Sequence, residues 1–316
     1  MSGILLATHG GASADGATRV AARLACRLGV RLHTIAVFQP AAFIGDGFGA
    51  TYVPAPADIE DTQAALLESV SDQLGRCGVH DCVPEFRIGV TTSEVASAAR
   101  TLGGDLIVVG LGSHHVIDRA LGDETALYLA QMAATPVLAV PANTANIPHR
   151  AVVAVDFSPT SVLAARTVAR WLEPGDVLHV VHVSAAEHDA HHGHLAERDE
   201  SGNARLGEIA SYVRSGSQGE IDTVQLSGEP ARAVLDYARA IDADVIALGS
   251  HGYGIWKRMM LGSVASKIIR LSPRAVLVAP IGCLSRIAAD GVRSHAVAPA
   301  AAPNGQAPAA RWACGA

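Results

Sequence analysis

The sequence has little charge and few aromatic residues, and both scarcities narrow the classes of protein to which it can belong. Asp, Glu, Lys and Arg make up 17% of its 316 residues, and Phe, Trp and Tyr make up 4%. Lys and Arg form no block and the formal net charge is −6, which argues against a nucleic-acid-binding surface. No run reaches the ~18 apolar residues that cross a bilayer, so we predict no membrane span. The 49% of hydrophobic residues is typical of a compact globular protein.

A signal peptide and a disulfide framework are also missing. The N-terminus, MSGILLATHGG, lacks both a basic segment and an apolar core long enough to direct secretion. The five cysteines show no C-x-x-C spacing and are odd in number, which favours reduced thiols. The sequence therefore predicts a cytoplasmic protein.

What the chain does contain is an internal repeat. Residues 85–141 align with residues 224–280 without a gap over their most informative part. Upstream, LLATHGG at 5–11 corresponds to VVAVDFS at 152–158. Short apolar runs alternate with helical patterns in each copy, which indicates parallel sheets covered on both faces. With right-handed crossovers, the sequence predicts an α/β tandem repeat of two doubly wound, open parallel-sheet domains.

The repeat sets the expected domain boundaries. We assign residues 1–142 to the first half and residues 150–281 to the second half, joined by the junction ANTANIPHR. Each half carries a less regular insert after its second strand, at 39–58 and at 184–200. Residues 282–316 form an Ala/Pro-rich tail with little to bury, which we predict to be disordered.

The most informative segment is GSHGYGIWKRMMLGSVASKIIR, at 249–270. Gly249 ends an apolar strand, and ligands of doubly wound sheets bind outside the carboxyl ends of strands. Ser263 directly precedes a helical pattern and is the expected N-cap, so the first N–H groups of that helix are unpaired. These groups and the helix dipole favour an anion by roughly 0.3–1 kcal/mol per charge, and Gly262 allows a phosphate to come close. In the alternative interpretation, the glycines only turn the chain and Ser263 only caps the helix.

The same segment resembles the nucleotide-binding motif of the universal stress protein family, which reads G-x-x-G, nine further residues and G-S. The stretch VVAVDFSPTS is similar to the first strand of that family, and LHVVHV is similar to its second. The resemblance is strong over 150–281 and fainter over 3–141, and it implies a tandem member with an adenine nucleotide alpha hydrolase-like fold. The motif positions in this sequence are Gly249, Gly252, Gly262 and Ser263.

The resemblance implies ATP, usually with Mg²⁺, as a regulatory ligand in stress adaptation. It assigns Asp156 to the nucleoside and the end of the second strand, Val183, to the adenine ring. It also implies a homodimer and edge-to-edge pairing of terminal strands. Because the short apolar strands PVLAV and AVLVA end the two halves, we expect the halves to pack pseudosymmetrically through them. The full set of implied nucleotide contacts is Ala154, Asp156, Val183, Gly249, Gly252, Gly262, Ser263 and Val264.

The first half departs from the motif. Gly110 is retained, but Ser113 replaces the second glycine. His9 stands opposite Asp156, or Thr8 does if the alignment slips by one position. This half is therefore expected to be a degenerate copy.

An acidic residue also falls where a phosphate should bind in the first half. Like charges within a few ångströms repel by about 4 kcal/mol at an effective dielectric near 20. We therefore predict that charge alone keeps this half free of nucleotide. One alignment sets Asp123 and Glu124 against Gly262 and Ser263, and the other sets Gly122 and Asp123 against the same pair.

Two weaker signals are interpreted without a ligand. GDGFGA at 45–50 loosely fits a dinucleotide fingerprint, but it lies in a Gly/Pro loop with no helix opening on it. The second signal is a histidine cluster at His188, His191, His192 and His194. It could hold a transition metal, but the sequence does not fix a complete set of ligands around one ion. A polar surface segment is therefore the preferred interpretation.

No residue is positioned by sequence as a general base beside the glycine segment. We therefore predict a nucleotide-binding regulatory protein rather than an enzyme. Two alternatives stay open at this point. One is a slow ATPase or nucleotide hydrolase on the same fold, and the other is a nucleotide-free interaction scaffold with a vestigial motif.

Overall fold

The computed structural model describes residues 2–40, 56–111, 116–184, 195–250 and 261–284. Ten strands and eight α-helices alternate along these ranges. The strands are β1 (Gly3–Ala7), β2 (Arg31–Phe38), β3 (Pro84–Ile88), β4 (Leu106–Leu111), β5 (Val137–Pro141), β6 (Arg150–Ala154), β7 (Val177–Ser184), β8 (Glu220–Ser227), β9 (Val245–Gly249) and β10 (Ala275–Ala279). The helices are α1 (Asp15–Leu28), α2 (Pro56–Arg76), α3 (Thr91–Thr101), α4 (Val116–Met132), α5 (Pro159–Ala169), α6 (Leu195–Arg214), α7 (Pro230–Ala240) and α8 (Ser263–Leu271).

All ten strands belong to one sheet, in the order β3-β2-β1-β4-β5-β10-β9-β6-β7-β8. Every pair within a half is parallel, as the short apolar strands predict. The single antiparallel pair of this sheet is β5 with β10, in which Leu138 faces Leu277. The predicted α/β tandem repeat is thus confirmed, and so is the joining of the halves through their terminal strands. The two open sheets that we expected are continuous with each other.

Apolar side chains cover both faces of this sheet. In β1, Ile4 and Leu6 enter the core on one face while Leu5 enters the core on the other, because successive residues of a strand point in opposite directions. All three are fully buried. The central strands therefore need apolar residues at every position, and they do not show the alternation of apolar and polar residues that marks a strand with one exposed face.

The two outermost strands, β3 and β8, did not stand out as apolar runs. Their residues are mostly half-buried or exposed, since an edge strand has a neighbour on one side only. β3 carries an ion pair between Arg87 and Glu85, with 2.8 Å between the guanidinium Nε and the carboxylate Oε1. Charge of this kind is common on edge strands because it discourages pairing with other chains.

Parts of the two predicted inserts are helical. α2 begins at Pro56 and α6 begins at Leu195, so the end of each insert belongs to a helix. Residues 41–55 and 185–194 lie outside the described residues, and so does most of the predicted tail, 285–316. At the start of that tail, a 3-10 turn at Ile281–Cys283 buries the Cys283 side chain, so packing continues past residue 281. None of the helices in the described ranges has the length and apolar character needed to cross a membrane.

Three arginines of α1 bind the junction between the halves. They lie at four-residue spacing and so share one helix face. Arg19 donates to the carbonyl of Ala142 at 3.1 Å, and Arg23 donates to the amide oxygen of Asn146 at 2.9 Å. Arg27 reaches furthest, because its Nη1 donates to the carbonyl of Trp171 at 2.9 Å, within the second half.

The carboxylate of Asp176 completes this contact. Its Oδ2 accepts from Arg27 Nη1 at 3.0 Å and from the backbone N–H of Glu173 at 2.9 Å, and its Oδ1 lies 2.7 Å from His149 Nδ1. The side chains of Arg27 and Asp176 are only 8% and 7% exposed. A buried carboxylate needs such partners, because without them its charge is strongly destabilising.

We therefore expect Arg27→Met to lower the free energy of unfolding by about 3–5 kcal/mol, because it leaves Asp176 buried without its cation. Arg23→Met is the matched control, since Arg23 is exposed and binds only the junction. It should change stability by less than about 1 kcal/mol. Urea denaturation of the three proteins measures both values. Equal stability of the two variants would contradict the role assigned to Arg27.

A second polar cluster lies on β7, where His179 Nδ1 is 3.1 Å from the hydroxyl of Tyr237 and 3.9 Å from Asp222 Oδ2. Burial lowers the pKa of His179 below its ordinary value of 6.5 and Arg150 lowers it further, while Asp222 opposes the shift. The folded chain therefore binds fewer protons at this site than the unfolded chain does. The contribution of His179 to the free energy of unfolding is complete above pH 6.5 and is lost as the pH falls through the folded pKa.

His179→Gln should accordingly flatten the decline in stability between pH 7 and pH 5, because glutamine does not titrate. The quantity to compare is the free energy of unfolding by urea at several pH values, wild type minus variant, which removes the contribution of the other histidines. A difference that does not change with pH would show that His179 is not responsible.

Candidate functional site

A cavity of about 240 Å³ opens at the carboxyl ends of β6, β7 and β9 in the second half. The helices α7 and α8 close it from one face of the sheet through Pro230, Val234 and the first turn of α8. The structure brings to this cavity every implied nucleotide contact except Gly252, which lies outside the described residues. The implied contacts that line it are Ala154, Asp156, Val183, Gly249, Gly262, Ser263 and Val264.

Other lining residues carried no motif in the sequence. Val181, Val234 and Leu248 add apolar walls, and Pro230 begins α7 beside them. Val181 and Leu248 lie near the ends of β7 and β9, and Val234 lies within α7. Position in the fold, and not residue type, makes them part of the cavity.

The carboxylate of Asp156 is held in a tight turn after β6. Its Oδ1 accepts from the backbone N–H of Ser158 at 3.1 Å and from the Ser158 hydroxyl at 2.6 Å. Its Oδ2 makes no hydrogen bond to any residue in the described part of the chain. One carboxylate oxygen is thus fixed by the protein, and the other is available to a ligand.

Phe157, the residue between Asp156 and Ser158, has a left-handed backbone conformation with φ of 64°. A side chain with Cβ pays roughly 1–2 kcal/mol for this conformation. The Phe157 ring lies 4.4 Å from the His182 ring, centroid to centroid, and the Arg205 guanidinium carbon lies 3.9 Å from its centroid. Both contacts offset part of that strain.

Three helices begin near this rim, and their N-termini differ. Ser158 caps α5 by accepting from the backbone N–H of Ser161. Glu229 caps α7 by accepting from the N–H groups of Ala231 and Arg232. The Arg232 N–H and the Lys267 ammonium lower the pKa of Glu229, so this cap is an anion. Both N-termini already have a partner.

Among the described residues, no side chain caps the N-terminus of α8. Ser263 was the expected N-cap, but it is the first helical residue, and Gly262 is the N-cap with ψ of 147° and no side chain to offer. The Ser263 side chain is exposed. The carbonyl of Gly262 accepts from Ser266 at 2.9 Å, so the N–H groups of Ser263, Val264 and Ala265 have no carbonyl within the helix. Of the three N-termini, only α8 can offer its N–H groups to an anion.

Gly249 has a packing reason as well as a place in the motif. A Cβ there would collide with the Thr160 hydroxyl and would lie 2.9 Å from the backbone nitrogen of Ser161. The absence of a side chain lets the first turn of α5 sit directly on the end of β9. The glycine therefore brings the protein's own backbone close, a packing role that neither of the two sequence interpretations included.

Strand register decides which residue of the first half corresponds to Asp156. Ala7 pairs with Ile35 and Val109, as Ala154 pairs with Val181 and Leu248. Two residues further on, His9 and not Thr8 takes the position of Asp156. Gly10 then matches Phe157, and both have positive φ, 85° and 64°.

The first half also lacks the free helix end. Its α4 begins at Val116 and continues through positions 123 and 124, which align with Gly262 and Ser263. Backbone N–H groups inside a helix are bonded to carbonyls of the preceding turn and are not available to an anion. At the aligned positions the first half therefore has no helix end, which is a second difference from the second half beside the predicted charge. The exclusion of nucleotide by charge stays a prediction. Glu124 is exposed on this longer helix.

Several sequence signals fall outside the described residues. These are Gly252, the dinucleotide-like loop 45–50, Ser113 and the histidine cluster 188–194. Within the described ranges, no group of three or more His, Cys, Asp or Glu side chains could hold a metal ion.

Comparisons with known proteins agree with the repeat. The model of the universal stress protein family matches the chain twice, at 1–141 and 148–280. A universal stress protein of Mycolicibacterium smegmatis is 24% identical over 302 residues, which cover 87% of this chain and 96% of that protein. Universal stress protein YxiE of Bacillus subtilis is 39% identical over 59 residues, 19% of this chain and 40% of that protein.

Solved structures support the same fold. A universal stress protein from Archaeoglobus fulgidus superposes with a TM-score of 0.61 and 21% identity, covering 88% of this chain and 96% of that one. A functionally unknown protein, PA1789 of Pseudomonas aeruginosa, covers 92% of this chain and 98% of its own, with a TM-score of 0.53 and 16% identity. At these identities the likeness concerns the fold alone.

The packing at Gly249 has a testable consequence. Gly249→Ala should destabilise the second half by about 1–3 kcal/mol, because the added methyl overlaps the first turn of α5. Gly207→Ala on α6 is the matched control, since a Cβ there meets nothing within 4 Å. That change should stabilise by about 0.5–1 kcal/mol, because alanine favours helix. Thermal unfolding of both variants gives the comparison, and an unchanged Gly249→Ala protein would contradict it.

Proposed function

The chain belongs to the universal stress protein family, and we propose that its second half binds ATP as a regulatory ligand while its first half remains without nucleotide. The observation that carries this proposal is the uncapped N-terminus of α8, which borders the cavity at the strand ends. Both neighbouring helices are capped by side chains, so the rim keeps one place for an anion.

The lining of the cavity suits the three parts of a nucleotide. Gly262 and Ser263 provide backbone N–H groups, a hydroxyl and a helix dipole, the combination that binds phosphates at helix N-termini. Asp156 keeps one carboxylate oxygen for a donor, and the hydroxyls of a ribose are donors. Val183, Val234 and other apolar side chains of the lining offer walls for a planar base.

Mg²⁺ would then enter with the nucleotide. This ion keeps several waters and is commonly bound by substrate phosphates with one or two carboxylates. The described residues contain no cluster of metal-ligating side chains. The phosphates themselves would therefore be its main ligands.

Binding, and not hydrolysis, is the activity that this cavity favours. Among its described lining residues, the titratable side chains are Asp156 and His182. Asp156 belongs to the nucleoside end, and the Nδ1 of His182 is bonded to the Val155 carbonyl at 2.8 Å. With these roles, neither side chain is assigned to activating a water for phosphoryl transfer. We accordingly place the protein among regulatory proteins of the cytoplasmic stress response.

A homodimer remains a prediction of the family resemblance. β5 and β10, the terminal strands of the two halves, already pair with each other. Two copies of this chain would therefore associate through another surface.

Three substitutions test the placement of the nucleotide by isothermal titration. Ser263→Glu should abolish ATP binding and retain adenosine binding, because the carboxylate occupies the α8 N–H groups and repels phosphate. Ser263→Ala should cost about 1.5–3 kcal/mol of ATP affinity, the contribution of a hydrogen bond to a charged group. Asp156→Ala should weaken adenosine and ATP by the same factor. Ser266→Ala, one turn along α8, is the control and should leave both affinities unchanged.

The stoichiometry gives a further check on the same titrations. One nucleotide per wild-type chain is expected, since α4 offers no free N-terminus at the matching position. Two sites per chain, or undiminished ATP affinity in Ser263→Glu, would show that the phosphates bind elsewhere.

A further inference from the structure

Phe157 has a backbone conformation that its residue type disfavours. In the described part of the chain, the non-glycine residues with positive φ are Phe157, at 64°, and Asp242, at 52°. Aspartate tolerates this region because its short polar side chain can hydrogen-bond locally, whereas phenylalanine has no such compensation. Contacts of the ring must therefore hold the backbone in place.

The ring is clamped from two elements. His182 of β7 lies on one side, with ring centroids 4.4 Å apart, and Arg205 of α6 lies with its guanidinium carbon 3.9 Å from the ring centroid. His182 is itself fixed, because its Nδ1 is 2.8 Å from the Val155 carbonyl. A carbonyl only accepts, so Nδ1 carries the proton. The clamp thus ties α6 to the turn that follows β6.

This turn is what orients Asp156. With Phe157 left-handed, the N–H and hydroxyl of Ser158 both return to Oδ1 of Asp156, at 3.1 and 2.6 Å. Two hydrogen bonds to one oxygen fix the carboxylate plane. If Phe157 left this conformation, Ser158 could not reach the carboxylate in the same way.

The first half provides an internal comparison. Gly10 occupies the position of Phe157 with φ of 85°, so the turn itself needs no ring and forms without strain on glycine. His9 and Gly11 replace Asp156 and Ser158 in that half. The ring, the hydroxyl and the carboxylate are therefore all present in the second half and all absent from the first.

From this geometry we infer that Phe157 is a positioning residue, which holds the Asp156 carboxylate ready for the hydroxyl groups of a nucleoside. The inference rests on the proposed nucleotide site. It adds that α6, through Arg205, contributes to that site without lining the cavity. A turn that is clamped before binding spares the nucleotide the free-energy cost of ordering it.

The test is Phe157→Ala in the full-length chain, with three probes: adenosine, ATP and inorganic tripolyphosphate. Alanine keeps the Cβ that disfavours positive φ but lacks the ring contacts that hold Phe157 there, so the clamped turn becomes one conformer among several. Adenosine and ATP should each bind about tenfold more weakly, as expected if the competent turn is populated roughly one tenth of the time. Tripolyphosphate addresses the α8 N-terminus alone and should bind as it does to the wild type.

Tyr212→Leu is the matched control. It removes another aromatic contact of α6 with an arginine, because the Arg166 guanidinium carbon lies 5.1 Å from the Tyr212 ring. Adenosine affinity should not change in this variant, which separates the clamp from general packing of α6.

Two results with Phe157→Ala would overturn the inference: unchanged adenosine affinity, or equal weakening of adenosine and tripolyphosphate, which would indicate a general loss of structure. The proposed function fails differently. A wild-type chain that binds neither ATP nor adenosine would contradict it, and with it the role of Phe157.

Discussion

The antiparallel pairing of β5 with β10 is the interaction on which the rest of the molecule depends. It joins two five-stranded parallel sheets into one, so neither half ends in an open apolar edge at the centre of the molecule. The strands left at the outside, β3 and β8, are the ones with charged or exposed side chains. Because this seam is closed, the backbone groups at the edges of β5 and β10 pair with each other, while the helices cover the two faces of the sheet. A second contact also joins the halves, because Arg27 of α1 forms a buried ion pair with Asp176 of the second half.

Within this common framework, the two halves differ at the strand ends in ways that decide where a ligand can bind. Both have the left-handed turn after the first strand and a glycine at the end of the fourth, because chain packing requires them there. Among the described residues, the second half has a carboxylate at the turn and a helix that begins at positions 262–263, and the first half has neither at the matching positions. The difference lies in a few residues and in the length of one helix, not in the fold. A repeat can therefore lose a helix end at one position while retaining every strand.

The central strands and the glycine segment could be predicted because those signals are local, whereas the seam and the contacts of Asp156 and Val183 were predicted from the family resemblance. Runs such as VIALG and AVLVA can only be buried strands in this context, and the glycine motif lies within one segment. The edge strands escaped notice because half-exposed strands carry no apolar run. The N-cap was misassigned to Ser263 because serine usually caps, whereas the backbone angles of Gly262 decide the helix start. The extra length of α4 was not visible either, since Asp123 and Glu124 suit a loop or an exposed helix face equally well.

The anion site that we propose at the N-terminus of α8 depends on packing that holds this helix in place. The helix has nine residues, and isolated helices of that length are marginal in water. Its stability comes from packing, with Ala265, Ile268 and Ile269 buried against the sheet and with α7 and α4 as neighbours. α4 belongs to the first half, so the half that we propose to lack nucleotide packs against the helix that we propose to bind it. The tandem arrangement therefore provides, within one chain, part of the packing that holds the N-terminus of α8 in place.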